Sequence, residues 1–217
     1  MRRTLFLPAP WSALVVAWIA IAGCGSSPPT YFYLLSAQAE GPLARAGGSR
    51  ERARVIAVGP VELPLYLDRP QIVSRSASNE LRLAEFHRWA EPLEENFANV
   101  LVENLTRLAG SENVYRFPGL DTPPVDARVA VRVIRFERDA SGPCVLVARW
   151  MVSDAGGAPQ LTVKRGDETP QTAHRFEASA PVEGESPAAV VAAMSRLVAD
   201  FARAICTTEV IRFETGK

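Results

Sequence analysis

From residue 114 to residue 180 the chain carries strand-length apolar runs separated by turn residues, with one long amphipathic helix signal on either side. Strands of this kind must bury a face, and the two apolar helix stripes are the cover that the pattern offers. The longest run, Val129-Ala130-Val131-Arg132-Val133-Ile134-Arg135-Phe136, is mostly β-branched and fits a pleated surface. Val114 to Phe117 precedes it. Val145 to Val152 follows the turn Asp139-Ala140-Ser141-Gly142-Pro143. Gly156-Gly157 then leads into Gln160 to Lys164, and Arg165-Gly166-Asp167 into Thr172 to Ala180. Such short links predict an antiparallel meander.

The first helix is predicted from Pro92, which suits a first turn, to Gly110, which suits a left-handed stop. Glu91, Glu94 and Glu95 crowd its positive end. Phe97, Val100, Leu101, Asn104, Leu105 and Leu108 form its stripe. The second helix follows the cap Ser186 and the first-turn residue Pro187. Val190, Val191, Met194, Leu197, Val198, Phe201 and Ile205 lie on one of its faces. The expected class is α/β of the α+β kind: one domain over residues 31–210, a mixed or antiparallel sheet packed by two main helices. Residues 209–217 read as a short strand or a tail.

Ahead of the first helix the pattern is less regular. Tyr31-Phe32-Tyr33-Leu34-Leu35 has the composition of a strand, and residues 36–53 lack any apolar period and read as a mobile loop. Val55-Ile56-Ala57-Val58 reads as a buried strand that stops at Gly59-Pro60. Pro60, Pro64 and Pro70 then predict an extended stretch poor in ladder bonds. Gln71 to Arg75 and Glu80 to Leu83 are the predicted arms of a hairpin around Ser76-Ala77-Ser78-Asn79.

The N-terminus is built like an export signal. Arg2 and Arg3 are followed by an apolar stretch, Trp11 to Ile21, too short for a permanent membrane span and preceded by Pro8 and Pro10. Ile21-Ala22-Gly23-Cys24 then closes it. This pattern resembles a lipoprotein signal peptide of residues 1–23. The resemblance implies cleavage before Cys24, a thioether-linked diacylglycerol and an amide-linked acyl chain on that residue, and a lipidated tether over residues 24–30. Without the signal 194 residues remain, enough for one sizeable core, with 22 basic against 24 acidic residues, a net charge of −2. No single-sign field exists to attract nucleic acid, so that partner class is excluded. Two further cysteines, Cys144 and Cys206, lie in a compartment where disulfides persist; either a bridge or two separately buried thiols satisfies the sequence.

Catalytic patterns are poor. The two histidines, His87 and His174, fall in different elements. His87 beside Glu85 could serve as a general base, but an ordinary satisfied histidine accounts for it more simply. There is no Gly-x-Ser-x-Gly, His-Glu-x-x-His or Cys-x-x-Cys pattern, and Gly47-Gly48 and Gly156-Gly157 lack the lysine and hydroxyl of a phosphate loop. Glu91, Glu94 and Glu95 mimic paired carboxylates, but dipole complementation explains them with fewer assumptions. No catalytic residue, metal ligand or cofactor is expected, and a hydrolase is the weakest reading.

Residues 59–97 are the candidate interaction region. Tyr66, Leu67, Asp68 and Arg69 lie between Pro64 and Pro70, and Arg88 and Trp89 precede Pro92. Proline-stiffened loops that carry Tyr, Trp and Arg lose little entropy on docking, and those residue types dominate interface hot spots. An equally good account makes Tyr66, Leu67 and Trp89 core residues, with Asp68–Arg69 and Arg88–Glu91 as local ion pairs.

These segments resemble the auxiliary lipoproteins of ABC-type lipid transport systems, the family of paraquat-inducible protein C. The likeness rests on Ile21–Cys24 with Tyr31-Phe32-Tyr33-Leu34, on Val61 through Val73, on Asn79 through Ala84 with Arg88 through Leu93, and on Phe97 with Val100 through Leu105. It extends to about residue 117; beyond that only the order of strands and the final helix agree. The resemblance implies an architecture like the N-terminal domain of TolB and no catalytic residues. It also implies partnership with a periplasm-spanning MCE-domain protein and its ABC permease, with room for a homo-oligomer. Gly25 after Cys24 implies sorting to the outer membrane, periplasmic face. The function expected is a lipid-anchored accessory that docks the MCE protein during phospholipid transport, with Tyr66, Leu67, Asp68, Arg69, Arg88 and Trp89 as docking or loop-organising residues. The alternative is a lipid carrier with its own apolar cavity.

Overall fold

The β-branched run around Val131 becomes the spine of the sheet. In the computed structural model, which describes residues 28–41, 54–119, 123–154 and 173–207, that run is strand β6, Ala127–Arg138. The other strands are β1 (Tyr31–Tyr33), β2 (Ile56–Glu62), β3 (Gln71–Ala77), β4 (Glu80–Trp89), β5 (Val114–Arg116), β7 (Cys144–Asp154) and β8 (His174–Ala180). One edge of β6 pairs antiparallel with β7 along its whole length, and β7 pairs antiparallel with β8. The other edge is shared. β2 lies parallel to the first half of β6 and carries β5 beyond it. β3 touches the far end of β6 through Ser74 and Arg138, and carries β4 and then β1. The result is a mixed α/β sheet of eight strands. The meander holds for β6, β7 and β8, whereas β2, β5 and β6 are parallel. The expected strand Gln160 to Lys164, residues 209–217, the signal segment and Cys24 lie outside the described residues.

Two helices, α1 (Leu93–Ala109) and α2 (Pro187–Thr207), cover one face of the sheet. Pro92 stands at the N-cap of α1, and Gly110 closes it in the left-handed conformation at φ 58°. At α2 the Ser186 hydroxyl accepts from Ala189 N–H at 3.1 Å, so the expected cap forms. Phe201 of α2 is fully buried, with ring contacts to Phe97, Trp150 and Phe176 at 5.2 to 6.4 Å; Phe97 meets Phe136 edge-on at 5.2 Å.

Three expectations need correction. β2 does not stop at Gly59-Pro60; it passes through a register irregularity between Val58 and Val61 and continues to Glu62. Gly59 adopts φ +134°, and a Cβ there would overlap the Phe117 carbonyl oxygen, so glycine is needed for this close approach. The stretch Ala84–Trp89, expected as a stiffened loop, is strand, because β3 pairs with it at Ala84 and Arg88 and β1 pairs with its end: Tyr31 opposite His87, Phe32 opposite Arg88, Tyr33 opposite Trp89. Residues 36–41, expected as part of a mobile loop, begin as a strap tied to both helices. Leu35 N–H donates to Asn96 Oδ1 at 2.6 Å and Ser36 N–H to Ser195 Oγ at 3.1 Å. Gln38 and Ala39 N–H donate to Asn104 Oδ1 at 3.0 and 2.8 Å. The helix side chains take the place of a missing strand neighbour.

Candidate docking site

A change of phase in β6 builds the site. Val129, Val131 and Val133 point at the helices, opposite Val152, Trp150 and Ala148. The register then shifts between Val133 and Arg135, leaving Ile134 as an extra, exposed residue. Beyond the bulge Phe136 takes over the helix-facing position, and Glu137 is turned to the other face, yet its side chain is fully buried. Four donors explain how a carboxylate is held there. Tyr66 Oη donates to Oε2 at 2.6 Å and Phe136 N–H to the same oxygen at 3.0 Å. Arg75 Nε and Arg135 Nε both donate to Oε1 at 3.0 Å. A buried charge is tolerated only with such pairing and full hydrogen bonding.

Tyr66 belongs to the 3-10 turn Leu65–Leu67, closed by Leu67 N–H to Pro64 O at 2.9 Å. Its phenol is pushed above the usual tyrosine range by burial, and the hydrogen bond to Glu137 and that carboxylate's charge add to the effect, against a smaller pull from Arg75 and Arg135. The proton therefore stays on Tyr66. Arg135 also donates to Asp139 at 2.6 Å, and this bond, with those from the Ser141 backbone and hydroxyl, holds the Asp139 carboxyl well below the usual carboxylate range. Beside this network lies an open cleft of about 380 Å³ lined by Arg75, Ser78, Arg135, Asp139 and Ala140.

The six expected docking residues divide by role. Leu67 and Trp89 are buried, and Trp89 N–H donates to Pro70 O at 2.7 Å, tying the end of the loop to β4. Tyr66 anchors the turn from beneath through Glu137. Asp68 and Arg69 are exposed, as is Leu65 at 85 %. Arg88 is half-buried and its Nε donates to Glu85 O at 3.3 Å. Among the described residues neither Asp68–Arg69 nor Arg88–Glu91 forms an ion pair; Glu91 instead accepts from Asn96 Nδ2 at 2.7 Å. Core packing and surface display therefore both occur, on different residues. Sequence reasoning missed Arg75, Arg135 and Glu137. The available signal was a carboxylate set directly behind Phe136 in a β-branched run.

Other candidates are accounted for by local partners. Tyr33 Oη and His87 Nδ1 share a hydrogen bond at 2.9 Å, and Tyr31 stacks on the same imidazole at 5.4 Å. His174 stacks on Trp150 at 5.0 Å. At the start of α1, Glu94 accepts from Leu63 N–H at 3.2 Å and Glu95 pairs with Arg116. Among the described residues no group of three His, Cys, Asp or Glu could hold a metal.

The cysteines do not bridge. Cys144 Sγ donates to Val190 O, in the first turn of α2, at 3.6 Å. Cys206 lies sixteen residues further along the same helix, about 24 Å away at the α-helical rise, whereas a bridge needs Cα atoms within about 7 Å. Both are free thiols, and burial raises them to about 12 for Cys144 and about 11 for Cys206.

The model of the family described as ABC-type transport auxiliary lipoprotein component matches residues 33–206. The chain belongs to that family. Membership makes it a component of an ABC-type transport system and a lipoprotein by kind; among the described residues no helix is long and apolar enough to cross a membrane. Two solved structures share the fold. One, of an uncharacterised protein, has a TM-score of 0.61 at 19 % identity, covering 82 % of this chain and 97 % of the other. The second, a Xanthomonas campestris protein of the DUF330 family, has a TM-score of 0.62 at 16 % identity, covering 81 % and 92 %. No curated protein matches the sequence.

Proposed function

We propose that this chain is a non-catalytic accessory anchored by acyl chains on Cys24 to the periplasmic face of the outer membrane. There it docks the end of an MCE-domain protein in a phospholipid transport system. The family match over residues 33–206 carries this reading. Each buried methylene of a lipid chain is worth about 0.8 kcal/mol, so one chain binds marginally and several hold the protein in place. The loop from Pro64 to Pro70 suits docking: Tyr66 and Leu67 fix its backbone from below, while Leu65, Asp68 and Arg69 face outward on a frame already rigid before contact. The space between sheet and helices, where a lipid carrier would hold its cargo, is filled by Phe97, Phe136, Phe201, Leu101, Leu146 and Leu197. That packing favours docking over carriage.

Affinity purification of the full chain from detergent-solubilised membranes tests the proposal. Recovery of an MCE-domain protein, reduced by a Leu65→Ser and Arg69→Ser double variant, is the expected result. No MCE-domain protein with either Cys24 intact or Cys24→Ser would contradict it.

A further inference from the structure

The edge of the sheet formed by β1 and β4 exposes aromatic side chains that the docking loop does not use. Phe32 is 64 % exposed, and it stands directly opposite Arg88 in the parallel ladder, so the two share a face. Phe86, two residues before Arg88, is exposed in the bulged part of β4, where the pairing with β3 steps from Ala84 to Arg88, and Leu34 follows Phe32 at the same parity. Their neighbours Tyr33 and Trp89 point the other way, into the core. The edge thus presents Phe32, Leu34 and Phe86 near the half-buried Arg88, whose Nε donates to the backbone carbonyl of Glu85. Contiguous exposed apolar side chains on a soluble domain mark an interaction surface. Phe and Leu side chains beside an arginine suit the boundary between acyl chains and phosphate groups, where the apolar groups dip below the headgroups and Arg can fork onto phosphate oxygens.

The position of this edge in the chain selects its occupant. Cys24 precedes Tyr31 by seven residues, so an acyl chain on Cys24 confines the start of β1 to within about 24 Å of the anchoring Cα even when the linker is fully extended. We infer that Phe32, Leu34, Phe86 and Arg88 form a membrane seat, pressed into the headgroup layer of the bilayer that holds the anchor. This inference rests on the reading that Cys24 is acylated. A seat of this kind fixes the domain's orientation, which a flexible tether alone cannot do, and aims the remaining surface away from the bilayer.

The test uses the full chain, processed in its host and reconstituted into vesicles of phosphatidylethanolamine and phosphatidylglycerol. A fluorophore is attached at Phe32→Cys, and at Ser179→Cys as the exposed reference on β8. Cys144 and Cys206 compete poorly for the label because burial holds them as thiols. Lipids brominated near the headgroup should quench the fluorophore at position 32 and leave the one at 179 bright. A further Phe86→Ser substitution should lower the equilibrium for seating about tenfold, the equivalent of about 1.4 kcal/mol. Mass spectrometry of the N-terminal peptide reports acylation independently. Acylated protein without quenching at position 32 overturns the seat and leaves the anchor standing; an unacylated Cys24 overturns both. A label at 32 that the brominated lipids leave bright but that an added MCE-domain protein shields from a water-soluble quencher assigns the edge to that protein and also overturns the seat.

Discussion

Replacing Glu137 by glutamine, a change of one heavy atom, should destabilise the fold markedly. The carboxylate accepts two donors on each oxygen: Tyr66 Oη and Phe136 N–H on Oε2, Arg75 Nε and Arg135 Nε on Oε1. Glutamine keeps one acceptor and turns the other position into a donor. With its oxygen toward the arginines, the amide meets Phe136 N–H head-on, and only the Tyr66 hydroxyl can rotate to accept. With its oxygen toward Tyr66, the amide faces two guanidinium groups. Removing one partner of a buried ion pair costs about 3–5 kcal/mol. The arginine side chains are 21 % and 32 % exposed, so water takes over part of their solvation, and about 2–4 kcal/mol is expected. For a domain of this size that lowers Tm by about 5–15 °C. Urea unfolding followed by tryptophan fluorescence measures it, with Glu62→Gln as the control. Glu62 pairs with Arg132 at the surface, and its loss should cost about 0.5 kcal/mol or less. A loss below about 1 kcal/mol for Glu137→Gln would refute the claim that this carboxylate organises the loop above it.

The remaining predictions follow from the same geometry. Tyr66 has a raised pKa in the fold, so above pH about 10 the unfolded chain releases a proton that the folded chain keeps, and stability falls as pH rises; below that pH the contribution is intact. Denaturation midpoints above pH about 10 should therefore decline more steeply in the wild type than in Tyr66→Phe, and parallel curves would count against the buried phenol. Alkylation in denaturant without reductant should add a group to both Cys144 and Cys206, whereas the native protein at neutral pH should react slowly; a pair resistant to alkylation until reduced would restore the bridge. Asn104→Leu strands one half-buried and one buried N–H donor of the strap, at Gln38 and Ala39, and relieves one unpaired amide group, Asn104 Nδ2, for a net loss of about 1–2 kcal/mol in calorimetric or denaturant stability. Unchanged stability with fast hydrogen exchange already present at Ala39 in the wild type would show that the strap is not bound as described.

Much of the fold is legible because its elements carry their own local signals. The stripe from Phe97 to Leu108 and the stop at Gly110 define α1, and Ser186-Pro187 does the same for the start of α2. The alternation around Val131 defines β6. What the sequence hides is pairing at a distance. Residues 84–89 look like a loop because Pro92 and the charged residues mask a period of two, and it is pairing with β3 at Ala84 and Arg88 and with β1 at His87, Arg88 and Trp89 that makes them a strand. The strap after Leu35 has no apolar period because its backbone bonds go to Asn96, Asn104 and Ser195 on helices far along the chain. Of the docking region, Tyr66 and Trp89 are visible as large residues between prolines, but the role of Tyr66 depends on Glu137, about seventy residues later and placed by a bulge. A bulge shifts the phase of every residue after it, so the burial of Glu137 cannot be read from composition. Whether Cys144 and Cys206 bridge stays open in the sequence for the converse reason: Cys144 packs at the start of α2 and Cys206 lies at its other end, a separation that only the packed helix shows.

Site-specific photo-crosslinking in living cells asks the central question most directly. A photoreactive amino acid in place of Leu65, which stands outward on the turn held by Glu137, should form a covalent adduct with an MCE-domain protein, and the same group in place of Arg175 on β8 should not. Adducts from both positions, or from neither while the protein is present and acylated at Cys24, would contradict the account of this chain as a tethered docking subunit.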